Sequence, residues 1–359
     1  MKKILLLALI FSGWHVAAQD PFFSQYFHAP VFLNPALAGT SKQDLRVTIL
    51  NRRQWMNVPS GINHAAVSIE KNITQHDWSL AAAFNTSTEG YLNTNQASVT
   101  VAKGFNGANF QYDCTEPYIS VGLQLGFIRR NARMDKLWFS NQIDRDGLIL
   151  GAQPAINYLP YAEIVFGNAS MGVAATFKKF MLGAAFYRPV TLNWERTLID
   201  GIASDSARLP RRSTFHLSYF YEANDLDPLS LKIKPTAIVQ VQGGRWYANV
   251  GAVVNLPQYP IEMGCWYRYS KGIKATHGLA VGVNVLLGRN RSESRYSKTD
   301  QYDTEFIRMG TSYDFELTGP RAGNTGGSFE IGGVYERMID ENKCRQRPDC
   351  SKLYPWMFF

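Results

Sequence analysis

The 359-residue chain carries 37 Lys and Arg against 29 Asp and Glu, a formal charge of +8, and 13% of it is aromatic. No basic run exceeds Arg129-Arg130 or Arg211-Arg212, which argues against a nucleic-acid partner, because phosphate binding draws on clustered cations. Beyond the first residues no apolar run approaches the ~20 residues a bilayer-spanning helix needs, so a helical inner-membrane protein is excluded and only a closed barrel could span.

The chain opens Met1-Lys2-Lys3, continues with an apolar run from Ile4 to Phe11, and reaches Val16-Ala17-Ala18 ahead of Gln19. A charged start, a short apolar core and small residues at a cleavage point read as a secretory signal peptide over residues 1–18. Loss of Lys2 and Lys3 takes the charge from +8 down by two, to +6. A mature chain beginning with Gln rather than Cys argues against a lipoprotein anchor.

Residues 19–43 have neither strand nor helix periodicity. Pro21, Pro30 and Pro35 remove backbone donors, and Phe22, Phe23, Tyr26, Phe27 and Phe32 follow no strict period. An ordered N-terminal arm is expected, lying across a barrel mouth or inside the lumen.

From Leu45 onward apolar residues fall on every second position. Leu45, Val47 and Ile49 begin the series, and Pro117–Phe127, PYISVGLQLGF, shows it best: Ile119, Val121, Leu123, Leu125 and Phe127 alternate with Ser120, Gly122, Gln124 and Gly126. Successive strand side chains point to opposite sides, so this is a two-faced strand. The same design recurs at 64–69, 78–84, 97–101, 171–177, 180–186, 215–221, 237–241, 246–254, 261–267, 279–287, 307–315 and 329–335. Lys178-Lys179 and Gly243-Gly244 are short enough for hairpin turns. The segment NRRQWMNVPSG, with Arg52, Arg53 and Trp55, reads as a loop. Residues 129–168 and 188–212 read as long connections, and 289–305 as a charged linker.

The count is about fourteen strands, an even number such as bacterial barrels use. The faces opposite the apolar ones are rich in Gly and carry Arg46, Glu262, Arg268, Arg308, Asp314, Glu330 and Glu336, which suits a crowded polar lumen with lipid outside. The 18 Tyr and 21 Phe could supply interfacial girdles. The expected fold is therefore all-β, a single antiparallel transmembrane β-barrel over residues 44–339 in the outer membrane, with a Cys-containing periplasmic tail at 340–359. A large secreted β-sandwich satisfies the same periodicity and is the alternative. In the tail, Cys344 and Cys350 are close enough for a local disulfide in an oxidising compartment. Cys265 falls on the apolar face of its strand. The terminal Phe358-Phe359 leaves open whether the barrel-assembly signal lies there or at Tyr335.

Four stretches carry a resemblance to a known family: DPFFSQYFHAPVFLNPALAG at Asp20–Gly39, RRQW ending at Trp55, GTSYDFEL at Gly310–Leu317, and GGSFEIGGVYE at Gly326–Glu336. The chain resembles the PorP/SprF family of type IX secretion system membrane proteins. The resemblance implies an outer-membrane barrel without catalytic activity or cofactor, accessory to secretion and gliding. Its implied partners are the C-terminal secretion domain of a large adhesin or cargo protein, or periplasmic ring and peptidoglycan-linked components, within outer-membrane lipid. By the same resemblance Phe23, Ser24, Gln25, Tyr26, Asn34, Pro35 and Gly39 are the typical arm residues, serving arm folding or partner contact.

Catalytic motifs are absent: the sequence holds no nucleophile elbow, Walker loop, HExxH or complete calcium loop. His28, His64, His76, His216 and His277 show no spacing that marks a base, and lumenal His64 and His216 read as hydrogen-bond partners. Two function classes remain, a docking scaffold and a diffusion channel for small solutes.

Overall fold

The computed structural model describes residues 20, 22–39, 44–58, 61–73, 77–106, 117–133, 143–144, 147–148, 161–177, 179–197, 210–223, 231–256, 259–271, 275–290, 304–318 and 322–337. The expected signal peptide, His76 and the Cys344–Cys350 tail lie outside the described residues. Fourteen strands build the wall, as the alternation predicts: β1 Leu45–Gln54, β2 Ile62–Ile73, β3 Trp78–Glu89, β4 Leu92–Asn106, β5 Tyr118–Arg133, β6 Tyr161–Phe177, β7 Phe180–Thr197, β8 Arg212–Tyr219, β9 Lys232–Gln242, β10 Arg245–Leu256, β11 Ile261–Lys271, β12 Ala275–Asn290, β13 Thr304–Glu316 and β14 Ser328–Arg337.

Each strand is antiparallel to its neighbours in sequence. The ring closes where β1 pairs with β14, from Leu45 opposite Arg337 to Gln54 opposite Ser328. A short extra pair, Tyr221–Glu222 on β9, lies outside the fourteen, and Ile143–Asp144 with Gly147–Leu148 forms a separate small hairpin. Closure removes the unpaired edges that an open sheet would leave. Among the described residues no helix is long and apolar enough to cross a membrane.

Alternation of apolar and polar residues becomes alternation of surroundings. In β11 the outward positions Ile261, Met263, Cys265 and Tyr267 are exposed, while Glu262, Gly264, Trp266 and Arg268 are buried. Leu123 and Leu125 are 60% and 62% exposed, a cost in water that lipid contact removes. The apolar side therefore faces outward, and among the described residues no second sheet covers it.

Two features depart from the sequence expectation. The connection expected over 129–168 is shorter, because β5 continues to Arg133 and β6 starts at Tyr161, while β7 runs to Thr197 instead of ending near 188. Apolar alternation stops there but the backbone ladder goes on, and exposed Arg129 pairs across strands with Glu163 at 2.8 Å. Arg52 and Arg53, expected in a loop, are strand residues of β1. Arg52 is buried inward and Arg53 points out, opposite Asn63 and Phe329. Only Trp55 of that trio belongs to the turn, where it adopts φ +57° and its Nε1 donates to Glu316 Oε1 at 2.9 Å.

At Gly243-Gly244 the turn needs positive φ at both positions, 55° and 76°, which glycine adopts without strain. If lipid is what covers the outer face, Val283→Arg near the middle of β12 will cost about 2–4 kcal/mol of barrel stability, and the same change at Leu287, nearer the strand end, clearly less. Reversible urea unfolding in liposomes measures both, and a neutral Val283→Arg would contradict the assignment.

Candidate functional site: an arm through the lumen

The arm from Asp20 to Gly39 runs inside the barrel. Two 3-10 turns, Pro30–Phe32 and Pro35–Leu37, give it local order, each opened by a proline that lacks the N–H such a turn would leave unused. Asn34 caps the second turn, its Oδ1 accepting from Ala36 N at 2.9 Å. The rest of its backbone must find partners on the wall.

The two ends of the arm sit at opposite mouths. Asp20 N donates to Gln242 Oε1 at 2.9 Å, beside the Gly243–Gly244 turn, and the Asp20 carboxylate meets Arg188 and Arg212 at 2.7 and 2.9 Å. At the other mouth Gly39 N donates to Glu70 Oε2 at 3.0 Å, close to where β1 begins. Burial opposes ionisation of Asp20, but the two guanidinium groups outweigh it and hold its pKa below the usual carboxylate value.

Ser24 lies in a buried cluster of four charged side chains. Glu330 accepts from the backbone N–H of Ser24 at 2.7 Å and of Gln25 at 2.8 Å. Asp314 accepts from Ser24 Oγ at 3.0 Å, and both Arg52 and Arg268 bond Asp314 and donate to Ser24 Oγ. Arg52 also lies 3.4 Å from Glu330. Two cations and two anions thus cancel around one serine, so none is left as an uncompensated buried charge.

Deeper in the lumen, Arg46 Nη2 donates to the carbonyls of Phe27 and His28 at 2.8 and 2.7 Å, and Thr48 Oγ1 donates to His28 O at 2.9 Å. Arg46 also lies 3.6 Å from Glu336. Arg308 and Glu262 pair with each other at 3.3 Å. Tyr26 donates its hydroxyl to Thr236, and the ring of Phe27 stacks on Trp266 with centroids 6.0 Å apart. Phe23 is buried, its ring 6.4 Å from that of Phe32.

Asn34 Nδ2 donates to Val173 O at 2.9 Å and lies 3.0 Å from His216 Nε2. Here the arm touches bare wall: a Cβ at Gly122 would overlap the Pro35 backbone, and one at Gly172 the Asn34 side chain. Glycine at these two positions is what admits Asn34 and Pro35.

The structure thus brings six of the arm residues singled out from sequence, Phe23, Ser24, Gln25, Tyr26, Asn34 and Pro35, into the lumen, with Gly39 closing the far end. All seven lumenal charges named from sequence are buried. Arg46, Arg52, Arg268, Asp314 and Glu330 meet the arm or its cluster, whereas Glu262 and Arg308 pair within the wall. Sequence reasoning missed Asp20, Glu70, Arg188 and Arg212 as arm anchors. Arg188-Pro189 carried a signal, since a charge followed by proline cannot continue a lipid-facing strand without a break. Among the described residues no three His, Cys, Asp or Glu side chains are placed to hold a metal. The described part of the arrangement holds a polypeptide segment, the arm itself, through its backbone and side chains.

A closed fourteen-strand barrel, apolar outside and filled by its own N-terminal segment, defines an integral outer-membrane protein. The type IX secretion system membrane protein PorP/SprF family model matches residues 15–335, and the chain belongs to that family. No curated protein matches it. Among solved structures it is similar to the outer membrane protein Omp33 of Acinetobacter baumannii (7% identity, TM-score 0.40, 82% of this chain and 98% of that one). It is also similar to the CymD monoaromatic hydrocarbon channel (8%, 0.40, 90% and 95%) and to the toluene transporter TbuX of Ralstonia pickettii (12%, 0.39, 87% and 94%).

Removing one of the two cations from the Ser24 cluster tests the arm's grip. Arg52→Met leaves Asp314 and Glu330 short of a partner and is expected to destabilise the barrel by about 3–5 kcal/mol. A loss under about 1 kcal/mol in the same liposome titration would mean that the cluster does not hold the arm.

Proposed function

We propose that this barrel serves type IX secretion as a closed, non-enzymatic docking scaffold. Its partner is the C-terminal domain of a secreted adhesin or cargo protein, or a periplasmic component of the machinery. Family membership supports a role in secretion, and the arm supports docking over conduction. A diffusion channel needs a continuous water path lined by charges free to meet the solute. Here the inward charges around Ser24, Asp20 and Arg46 are engaged by the arm, which passes from one mouth to the other.

The scaffold reading predicts silent barrels in planar bilayers. Deleting residues 20–39 is expected to bring conductance in those molecules that still migrate on gels as heat-modifiable folded barrels. Isolation in mild detergent is expected to carry along a protein with a β-rich C-terminal domain, or periplasmic ring proteins. Steady conductance by the intact chain would defeat the reading, as would unchanged secretion and surface display of every substrate after deletion of the gene.

A further inference from the structure

At the mouth that holds Asp20, two arginines meet on one arm carboxylate. One carboxylate oxygen, Asp20 Oδ2, takes both Arg188 and Arg212. Each arginine keeps an unbonded nitrogen, Nη1 of Arg188 and Nε of Arg212, although the residues are only 5% and 8% exposed. Their other nitrogens are taken, Arg188 Nε by Pro210 O and Arg212 Nη2 by Phe32 O at 3.2 Å, so each guanidinium, a group that recognises carboxylates through paired donors, keeps one donor nitrogen spare. Glu89 and Arg130 near the same mouth add one charge of each sign, so with Asp20, Arg188 and Arg212 these five described groups sum to one positive charge.

The backbone is arranged to put the first of these arginines there. The register of β6 with β7 jumps from Ser170 opposite Tyr187 to Asn168 opposite Thr191, so β7 spends extra residues at Arg188-Pro189-Val190. Strict alternation would send Tyr187 inward and Arg188 into lipid. The bulge buries both, with Arg188 held at φ +57°, a left-handed conformation that disfavours a side chain. Arg188 Nε is fixed by Pro210 O at 3.1 Å, and Arg212 lies over the Tyr187 ring at 3.6 Å. Backbone strain kept at a rigid pair of cations is the pattern of a ligand clamp.

A cavity of about 20 Å³ adjoins Arg212, lined also by Asp20, Tyr187 and Gln124 among others. That is room for roughly one or two waters, and so for the two oxygens of one carboxylate. The geometry points to a carboxylate socket: Arg188 and Arg212 hold Asp20, and Arg212, which lines the cavity, accepts a second carboxylate, from an acidic or C-terminal residue of a partner chain, at this mouth. It rests on the docking reading and names the chemical group that docks.

The test uses the full chain folded in detergent. The probes are a fluorescein-labelled tetraglycine with a free carboxylate, the same peptide as its C-terminal amide, and acetate as competitor. The acid is expected to bind and the amide not to. Arg212→Gln should weaken the acid about tenfold, Arg212→Lys less, and Asp20→Asn, which frees both guanidinium groups, should tighten it about tenfold.

Equal binding of acid and amide overturns the socket, as does an unchanged affinity in Asp20→Asn barrels that remain heat-modifiable. If Asp20→Asn loosens the arm, the difference between Arg212→Lys and Arg212→Gln still decides, and equal losses would count against the socket. Acetate competing as well as the peptide would overturn the assignment to a partner chain. Recovery of no partner from membranes while the acid still binds sinks the docking reading and leaves the socket standing.

Discussion

Ser24 and Gln25 turn their backbone N–H groups toward Glu330, and on this contact between an irregular segment and a strand carboxylate the rest of the structure depends. A wall with a polar inner side cannot stand around an apolar filling, because its buried charges would lack partners. An irregular segment cannot be buried either unless its backbone groups are met. The arm and the wall solve each other's problem: Arg46 takes the Phe27 and His28 carbonyls, and Tyr187 donates to Phe32 O at 3.0 Å. Each bond of this kind is worth only about 1 kcal/mol net, but leaving either side unmatched costs more.

Lipid imposes the opposite demand on the other side of the same strands. Val281 and Val283 face out, while Ala280, Gly282 and Asn284, which alternate with them, are buried, so one strand answers two solvents at once. Small residues on the inner side are as necessary as the charges. The lumen holds a chain with its side chains, and Gly122 and Gly172 cede the space that Pro35 and Asn34 occupy.

These two demands explain what could be read from sequence. Fourteen strands were legible because lipid requires an unbroken apolar face, and that requirement writes a period of two into residues such as Ile119–Phe127. The strand ends at Arg133, Tyr161 and Thr197 were not legible, since beyond the lipid the ladder persists without the pattern. Arg52 and Arg53 looked like a turn because two charges precede Trp55, although one belongs to the lumen and the other to the rim. The inward charges could be named, but not their pairing: nothing in spacing says that Asp314 on β13 meets Arg52 on β1 and Arg268 on β11. Arg188 was illegible for a further reason, because its inward aim comes from a bulge that breaks the rule by which faces are assigned.

The arm is fixed to different strands at successive depths, and this decides how the two mouths communicate. Asp20 is tied to β7, β8 and β9, Ser24 to β1, β11, β13 and β14, Asn34 to β6 and β8, and Gly39 to β2. No single pair of strands carries the segment, so it cannot slide along the axis without breaking contacts on most of the ring together. A pull at Asp20 passes through the Ser24 cluster and the Asn34 cap before it reaches Gly39 and β1. The chain of packed and bonded groups is continuous, which is the physical condition for coupling between separated sites. A plug held at one end would let the other mouth move freely. This one ties both mouths to the same wall, with the Ser24 cluster next along the arm from Asp20 and the Asn34 cap between that cluster and Gly39.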